Sequence, residues 1–399
     1  MANPFRWFSQ VLAVSRFSIL GLPQRLGSSA TAVFGIAGVV AVMVGVLSIA
    51  QGIVKTMTQS STPDSVIVLR SGSTSEMVSG LSGDSVTVVR DAPGLARDGG
   101  ATLVSPELFV IVDLPLKSTG TPANVPLRGV HNAAFEIRDG LRMVEGRRFE
   151  PGLNEVIAGV GAEAEFAGLE VGSRIAVGSQ DWPVVGIFEA GGGIAESELW
   201  VDAAVLQQAY RRGNSYQTVF ARLESPQAFQ AFSDALTSDP RLNVKVERTE
   251  DFYAGQSAMM YGLITGLGSI IALIMGLGAI FGALNTMYTA VSARTVEIAT
   301  LRALGFNSGP VVVSVLTESL LLALIGGVIG ATLAWLAFDG IHAATINFAS
   351  FSQVTFAFEV TDGLLVLGIV FALFIGLIGG LLPAVRAARQ PVANALREM

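Results

Sequence analysis

The chain has 399 residues, 51% of them hydrophobic and only 14% charged, with a mean hydropathy of +0.57. Soluble domains carry about a quarter charged residues, so this balance points to a membrane protein. Cysteine is absent and the two histidines, His131 and His342, stand far apart. That excludes disulfides and thiol chemistry, and argues against a zinc or haem site and against an acid–base enzyme.

The leader, residues 1–27, holds Arg6, Arg16 and Arg25 and no acid. Its stretch from Phe5 to Leu20 reads as an amphipathic helix on a membrane surface, anchored by Phe5, Trp7, Phe8, Val11, Leu12 and Phe17. The first span is expected over 28–54, centred on the uncharged run Ala30 to Ala50, close to the ~20 apolar residues that cross a hydrocarbon core. The run is longer than the ~7–15-residue core of a signal peptide and no A-x-A site follows it, so a retained anchor is expected.

Residues 55–253 take on the texture of a soluble α+β domain inserted between the first and second spans. Short β-branched runs read as strands at Ser65–Leu69, Ser85–Val89, Phe109–Val112, Arg174–Val177, Pro183–Phe188, Thr218–Leu223 and Asn243–Val246. A helix is expected after Ser225, which can cap it, with Pro226 at its first position and Phe229, Phe232 and Leu236 on one face. Its flanking strands make it a β-α-β unit. A matching unit is expected from strand Ser65–Leu69, a short helix near Ser75–Leu81 and strand Ser85–Val89. The two units would be membrane-proximal α/β lobes, with a β-rich insertion over about 100–215 between them. The glycine-rich stretches Asn154–Gly161, Gly168–Gly172 and Gly191–Gly193 contain no G-x-x-x-x-G-K-[ST] and no G-x-G-x-x-G between strand and helix. They read as tight turns of a small β-barrel. No G-x-S-x-G elbow occurs, and no catalytic or metal-ligating residues are expected.

The C-terminal membrane domain, 254–399, holds three more spans at about 259–288, 311–338 and 363–385. The second span is longer than a bilayer needs, so it either tilts or runs on as a helix beyond the membrane. Glu318 lies about seven residues into the third span, roughly 10 Å along the helix. An acid there makes a functional charged contact, or a structural hydrogen bond or a snorkel to the interface; the structural reading carries more weight. Small-xxx-small pairs recur at Gly262/Gly266, Gly278/Gly282, Gly326/Gly330 and Gly376/Gly380, and permit close helix approach.

Lys and Arg in short segments set the orientation. They occur in the leader, between the second and third spans (Arg294, Arg302) and in the tail (Arg386, Arg389, Arg397), but not between Asp339 and Asp362. Both termini and the loop 292–309 are therefore expected in the cytoplasm, with 55–253 and 339–362 outside. The outer domain has 26 Asp and Glu against 17 Lys and Arg, a net −9, which is no nucleic-acid footprint.

Residues 292–305 read as a short amphipathic coupling helix: Val296, Ile298, Leu301 and Leu304 alternate with Arg294, Glu297 and Arg302, and Gly305 is a plausible stop. Physics alone would make this a surface connector. The run Arg294-x-x-Glu297-Ile298, followed by Leu301-Arg302-Ala303-Leu304-Gly305, resembles the coupling segment of the MacB/FtsX-type ABC transporter permeases, the type VII family that works by mechanotransmission. Glu318 to Gly330 is similar to that family's acid, leucine run and glycine pair. Gly379 to Pro391 with Ala395-Leu-Arg397 is similar to its tail, although the last piece is one residue longer than usual.

The resemblance implies a permease-only subunit that is not itself an enzyme and holds no cofactor of its own. It implies a dimer with a second copy, a homodimer in preference to a heterodimer, driven by separate ABC ATPase subunits that bind ATP and Mg. The lysines of this sequence are Lys55, Lys117 and Lys245, none in a P-loop. The coupling residues would be Arg294, Glu297, Ile298, Leu301, Arg302, Leu304 and Gly305, with Glu297 and Arg302 facing partner charges. The wider implication is a MacB-like tripartite efflux pump of the bacterial inner membrane, surrounded by lipid and joined by a periplasmic adaptor and an outer-membrane duct. Such a pump would move small amphiphiles, peptides or lipidic molecules on the outer side. The alternatives are a lipoprotein-releasing permease and an FtsX-like regulator of a cell-wall hydrolase, whose outer domain is typically smaller. A receptor without an ATPase is opposed by the coupling-type loop.

Overall fold

The computed structural model describes residues 10–12, 14–15, 26–178 and 180–389. The leader helix expected over Phe5 to Leu20 lies outside these apart from residues 10–12, 14 and 15, which are helical, and the tail motif beyond residue 389 lies outside them too. The chain divides into two compact units. One is Gly52–Gly262 with Ile341–Phe358, the sheet unit; the other is Met1–Gln51 with Leu263–Gly340 and Glu359–Met399, the helix unit.

In the sheet unit ten strands join one sheet. From edge to edge it runs Val244–Arg248, Ser65–Arg70, Thr218–Arg222, Val104–Pro115, Pro122–Val130, Leu199–Asp202, Val156–Gly159, Gln180–Ala190 and Leu141–Gly146, with Arg174–Val177 paired onto Gln180–Ala190. The long strand Val104–Pro115 changes partner along its length. Val104 to Glu107 pair with Thr218–Arg222, and Leu108 to Pro115 pair with Pro122–Val130. Separate apolar cores lie on the two sides of this change. One gathers Val66, Val68, Val86, Val89, Val219, Phe232 and Leu236; the other gathers Leu108, Leu127, Val156, Trp182, Leu199 and Leu206.

Several expectations change here. The two β-α-β units are one lobe, because Ser65–Arg70 pairs with both Thr218–Arg222 and Val244–Arg248. Ser85–Val89 is not a strand but part of the helix Gly83–Arg90. Its start is capped by the Ser82 hydroxyl, which accepts from the Ser85 amide, and Val86 and Val89 face the core at helical spacing. The helix expected near Ser75–Leu81 is a 3₁₀ turn, Glu76–Val78, followed by the strand Leu81–Ser82. Ser225 makes no side-chain cap: a 3₁₀ turn, Pro226–Ala228, intervenes and the α-helix begins at Phe229. Phe232 and Leu236 are buried as their spacing requires.

The insertion is not a separate barrel, since its strands belong to the common sheet and no pairing joins the two edges among the described residues. Only part of its glycine is turn glycine. Gly168, Gly172, Gly191 and Gly192 have positive φ, which suits turns. Gly159 instead serves close packing, for a Cβ there would sit 2.2 Å from the Glu196 carbonyl oxygen. The segment after the third span, read only as an outer connector, is a β-hairpin, His342–Asn347 with Ser352–Ala357. It belongs to the sheet unit. The Thr355 amide donates to Ser197 Oγ at 2.9 Å, and Asn124 Nδ2 donates to the Phe351 carbonyl at 2.8 Å.

Among the described residues four helices are long and apolar enough to cross a membrane. They run Leu26–Thr58, Thr249–Ser292, Ser308–Phe338 and Asp362–Arg389. The second, 44 residues, is one unbroken helix of roughly 66 Å, over twice a ~30 Å hydrocarbon core. It starts in the sheet unit, where Phe252 and Tyr253 are buried.

Candidate functional site

The coupling region lies in the helix unit. The second span ends at Ser292, and the short helix Thr295–Ala303 follows after Ala293 and Arg294. Glu297 in its first turn and Arg302 in its last both oppose the helix dipole favourably. The C-terminus closes as a Schellman motif: the Phe306 amide donates to the Leu301 carbonyl and the Gly305 amide to the Arg302 carbonyl, each at 3.1 Å. Gly305 takes φ +95°, which explains glycine at this stop.

Burial gives the helix two faces. Ile298 and Ala299 are buried, and Ile298 packs with Met287, Val291, Val311 and Val315. Leu301 and Arg302 are half-buried. Val296, Glu297 and Leu304 are exposed, Leu304 to 73%.

Arg294 does not join that exposed face. Its Nη1 donates to Glu318 Oε2 at 2.9 Å, and the two side chains are 9% and 4% exposed. The acid of the third span is thus held by the residue that starts the short helix, a charge-assisted hydrogen bond in an apolar setting.

The glycine pairs part into two groups. A Cβ on Gly326 would lie 2.9 Å from the Val33 carbonyl oxygen, and one on Gly330 would lie 2.4 Å from that of Ala37. On Gly376 it would meet Ala323 Cβ at 2.4 Å and on Gly380 Ser319 Cβ at 2.6 Å; Ser319 Oγ also donates to the Gly376 carbonyl at 2.6 Å. These four bring the third span against the first and the fourth. Gly262, Gly266, Gly278 and Gly282 have nothing within 4 Å of a Cβ.

One arrangement in the sheet unit escapes the sequence. Arg128 is 1% exposed and donates to Glu76, Glu107 and Glu198 at 2.7–3.1 Å. Arg138 makes a two-pronged bond to Glu107 at 2.7–2.8 Å. Trp200 Nε1 donates to Glu198 and Tyr253 Oη to Glu76, at 2.8 and 3.4 Å. Burial works to raise the Glu107 carboxyl, but Arg138 and then Arg128 outweigh it and hold it below the ordinary value of 4.5. Burial likewise works to lower Arg128; Glu198 and then Glu76 more than reverse that. The only signal in the sequence is charge inside apolar strands, as at Glu107 in Val104–Pro115 and Arg128 in Pro122–Val130.

The family model for the MacB-like periplasmic core domain matches residues 29–239, and that for the FtsX-like permease C-terminal matches 269–392. The Macrolide export ATP-binding/permease protein MacB 1 of Aeromonas hydrophila is 27% identical over 329 residues, 77% of this chain and 48% of its own length. The chain thus spans about half the length of that relative. The uncharacterized ABC transporter permease YknZ of Bacillus subtilis is 25% identical over 291 residues, 68% of this chain and 69% of that protein. Among solved structures, the extracellular domain of YknZ aligns with a TM-score of 0.35 at 14% identity, covering 46% of this chain and 99% of that one. The periplasmic region of MacB from Actinobacillus actinomycetemcomitans gives 0.37 at 11% identity, covering 48% and 92%. The first family model takes in more than half of the sequence and the second takes in the short coupling helix with the third and fourth spans, so the chain belongs to the MacB/FtsX-type ABC transporter permease family.

Proposed function

We propose that this chain couples ATP hydrolysis by a partner ATPase to movements of a periplasmic domain that drive export of a substrate across the cell envelope. The observation that carries this is the two-faced helix Thr295–Ala303. Its inner face is packed and its start pinned by the Arg294–Glu318 pair, while Val296, Glu297 and Leu304 are open to a partner. A surface fixed at one end to the spans and exposed at the other is suited to receive a push. The unbroken 44-residue helix that precedes it supports the same reading, since a continuous hydrogen-bonded rod carries displacement along its length.

In this proposal a dimer of permease chains sits in the bacterial inner membrane, with both termini and the coupling helix in the cytoplasm and the sheet unit in the periplasm. Arginine placement supports that orientation. ATP binding closes the ATPase pair, which shifts the coupling helices and rocks the spans, and the substrate moves on the outer side through an adaptor and an outer-membrane duct. The Aeromonas relative is named for macrolide export; for this chain the proposed class is the broader one of small amphiphiles, peptides or lipidic molecules. Co-purification of the tagged full-length chain from its own membranes tests the assignment. An ATPase with an adaptor would support efflux, a second permease chain would move the reading to lipoprotein release, and a hydrolase would move it to regulation.

A further inference from the structure

The sheet unit holds a cavity of about 310 Å³ among the last turns of the first-span helix, the first turns of the second-span helix and the tip of the hairpin. That volume falls in the ~300–1,000 Å³ range of small-molecule sites. Met57, Met260 and Ile346 form much of its wall, and no ionisable side chain lines it. Unbranched thioethers adapt to irregular apolar bodies without a fixed shape. The polar groups present are neutral. Ser75 is only 8% exposed, and its hydroxyl makes no hydrogen bond among the described residues; the Gln256 side-chain amide makes none either. Asn347 Oδ1 accepts from the Ala349 amide. The Ser75 hydroxyl keeps accessible surface on the cavity, so a ligand hydrogen bond there would replace one to water.

The charge nearby cannot serve a ligand. Glu76, next to Ser75, is taken up by Arg128 and by the hydroxyls of Thr218 and Tyr253. The network behind that wall sets three carboxylates against two guanidiniums, a balance unfavourable to an anionic head group.

We propose that this cavity binds an uncharged amphiphile, its apolar body against the methionines and its hydrogen-bonding head at Ser75 and Gln256. The proposal rests on the export reading and narrows its substrate class. The test is photolabelling of the full-length chain in phosphatidylcholine nanodiscs with a diazirine-bearing octyl glucoside, mapped by peptide mass spectrometry. We expect label on the segments holding Ser75 and Gln256 to Met260, competed by plain octyl glucoside and not by decanoate. Ala349→Trp, which fills the cavity, should lower that label about tenfold while leaving label on the lipid-facing spans unchanged. Gln256→Leu keeps the volume and removes the amide, and should weaken competition severalfold. Label confined to the spans, label unchanged in Ala349→Trp, or equal competition by decanoate would each overturn the proposal. Labelling needs no ATPase, so the export reading can fail with the site intact, and the site can fail with coupling intact.

Discussion

In the sheet unit a fully buried Arg128 is enclosed by Glu76, Glu107 and Glu198, and Arg138 binds one of the same carboxylates. In the helix unit the buried Arg294 binds Glu318 at the start of the short coupling helix. A closed network leaves several buried charges uncompensated when one member is lost, because Glu76, Glu107 and Glu198 are each almost fully buried. An arginine at a helix start can relax when its acid is lost, since its long stem can carry the head toward water. The two units also fill their interiors differently. The sheet unit uses large side chains such as Trp182, Trp200 and Phe232, whereas the contacts of the third span rest on glycine.

The largest contrast should come from Arg128→Ala. It strands Glu76 and Glu198 in the interior, a loss of about 3–5 kcal/mol that should lower the thermal midpoint of the sheet unit by roughly 6–20 °C. A midpoint within a degree or two of the parent would mean that the network is not a unit. Glu318→Gln should cost less, about 1.5–3 kcal/mol, and should show as faster proteolysis of the chain near residues 292–305. An equal or larger loss than for Arg128→Ala would reverse the comparison.

Glycine provides a third measure. Gly330→Ala drives a Cβ to 2.4 Å from the Ala37 carbonyl oxygen and should destabilise by about 1–3 kcal/mol. Gly278→Ala meets nothing and should be neutral or up to ~1 kcal/mol stabilising in the same melting assay. Like signs for the two would contradict the packing described.

The smallest effect is titration. Glu107 is held below 4.5, so its contribution is complete above the unfolded carboxyl value and fades as pH falls through the lower folded value. The melting midpoint of the sheet unit should therefore drop on acidification below about pH 4.5, and less steeply in Glu107→Gln, where the titrating group is gone.

Much of this was legible before the fold. The spans were, because ~20 apolar residues in a row have few other solutions. Glu318 stood out because it is the one charge between Arg302 and Asp339. Its partner was hidden, since Arg294 read as part of the exposed coupling face and only the turn after Ser292 brings it to the third span. The run Ser85–Val89 was misread because three valines and a threonine mimic a strand, while the deciding feature was the hydroxyl of Ser82. The Arg128 network was invisible for the opposite reason to Glu318: the outer domain carries 43 charged residues, and nothing local marks five of them as meeting. The hairpin His342–Asn347 with Ser352–Ala357 is hidden in the sequence because its connection, Phe348 to Phe351, holds none of the Gly, Pro, Asn or Asp that mark a tight turn.

The coupling role of the helix Thr295–Ala303 is best tested by the double change Glu297→Ala with Arg302→Ala in the full complex with its ATPase, reconstituted in vesicles. Hydrolysis and export would be followed in the same sample. We expect ATP hydrolysis to continue while export falls to background; export at the parental rate per ATP would show that the push does not enter through this helix.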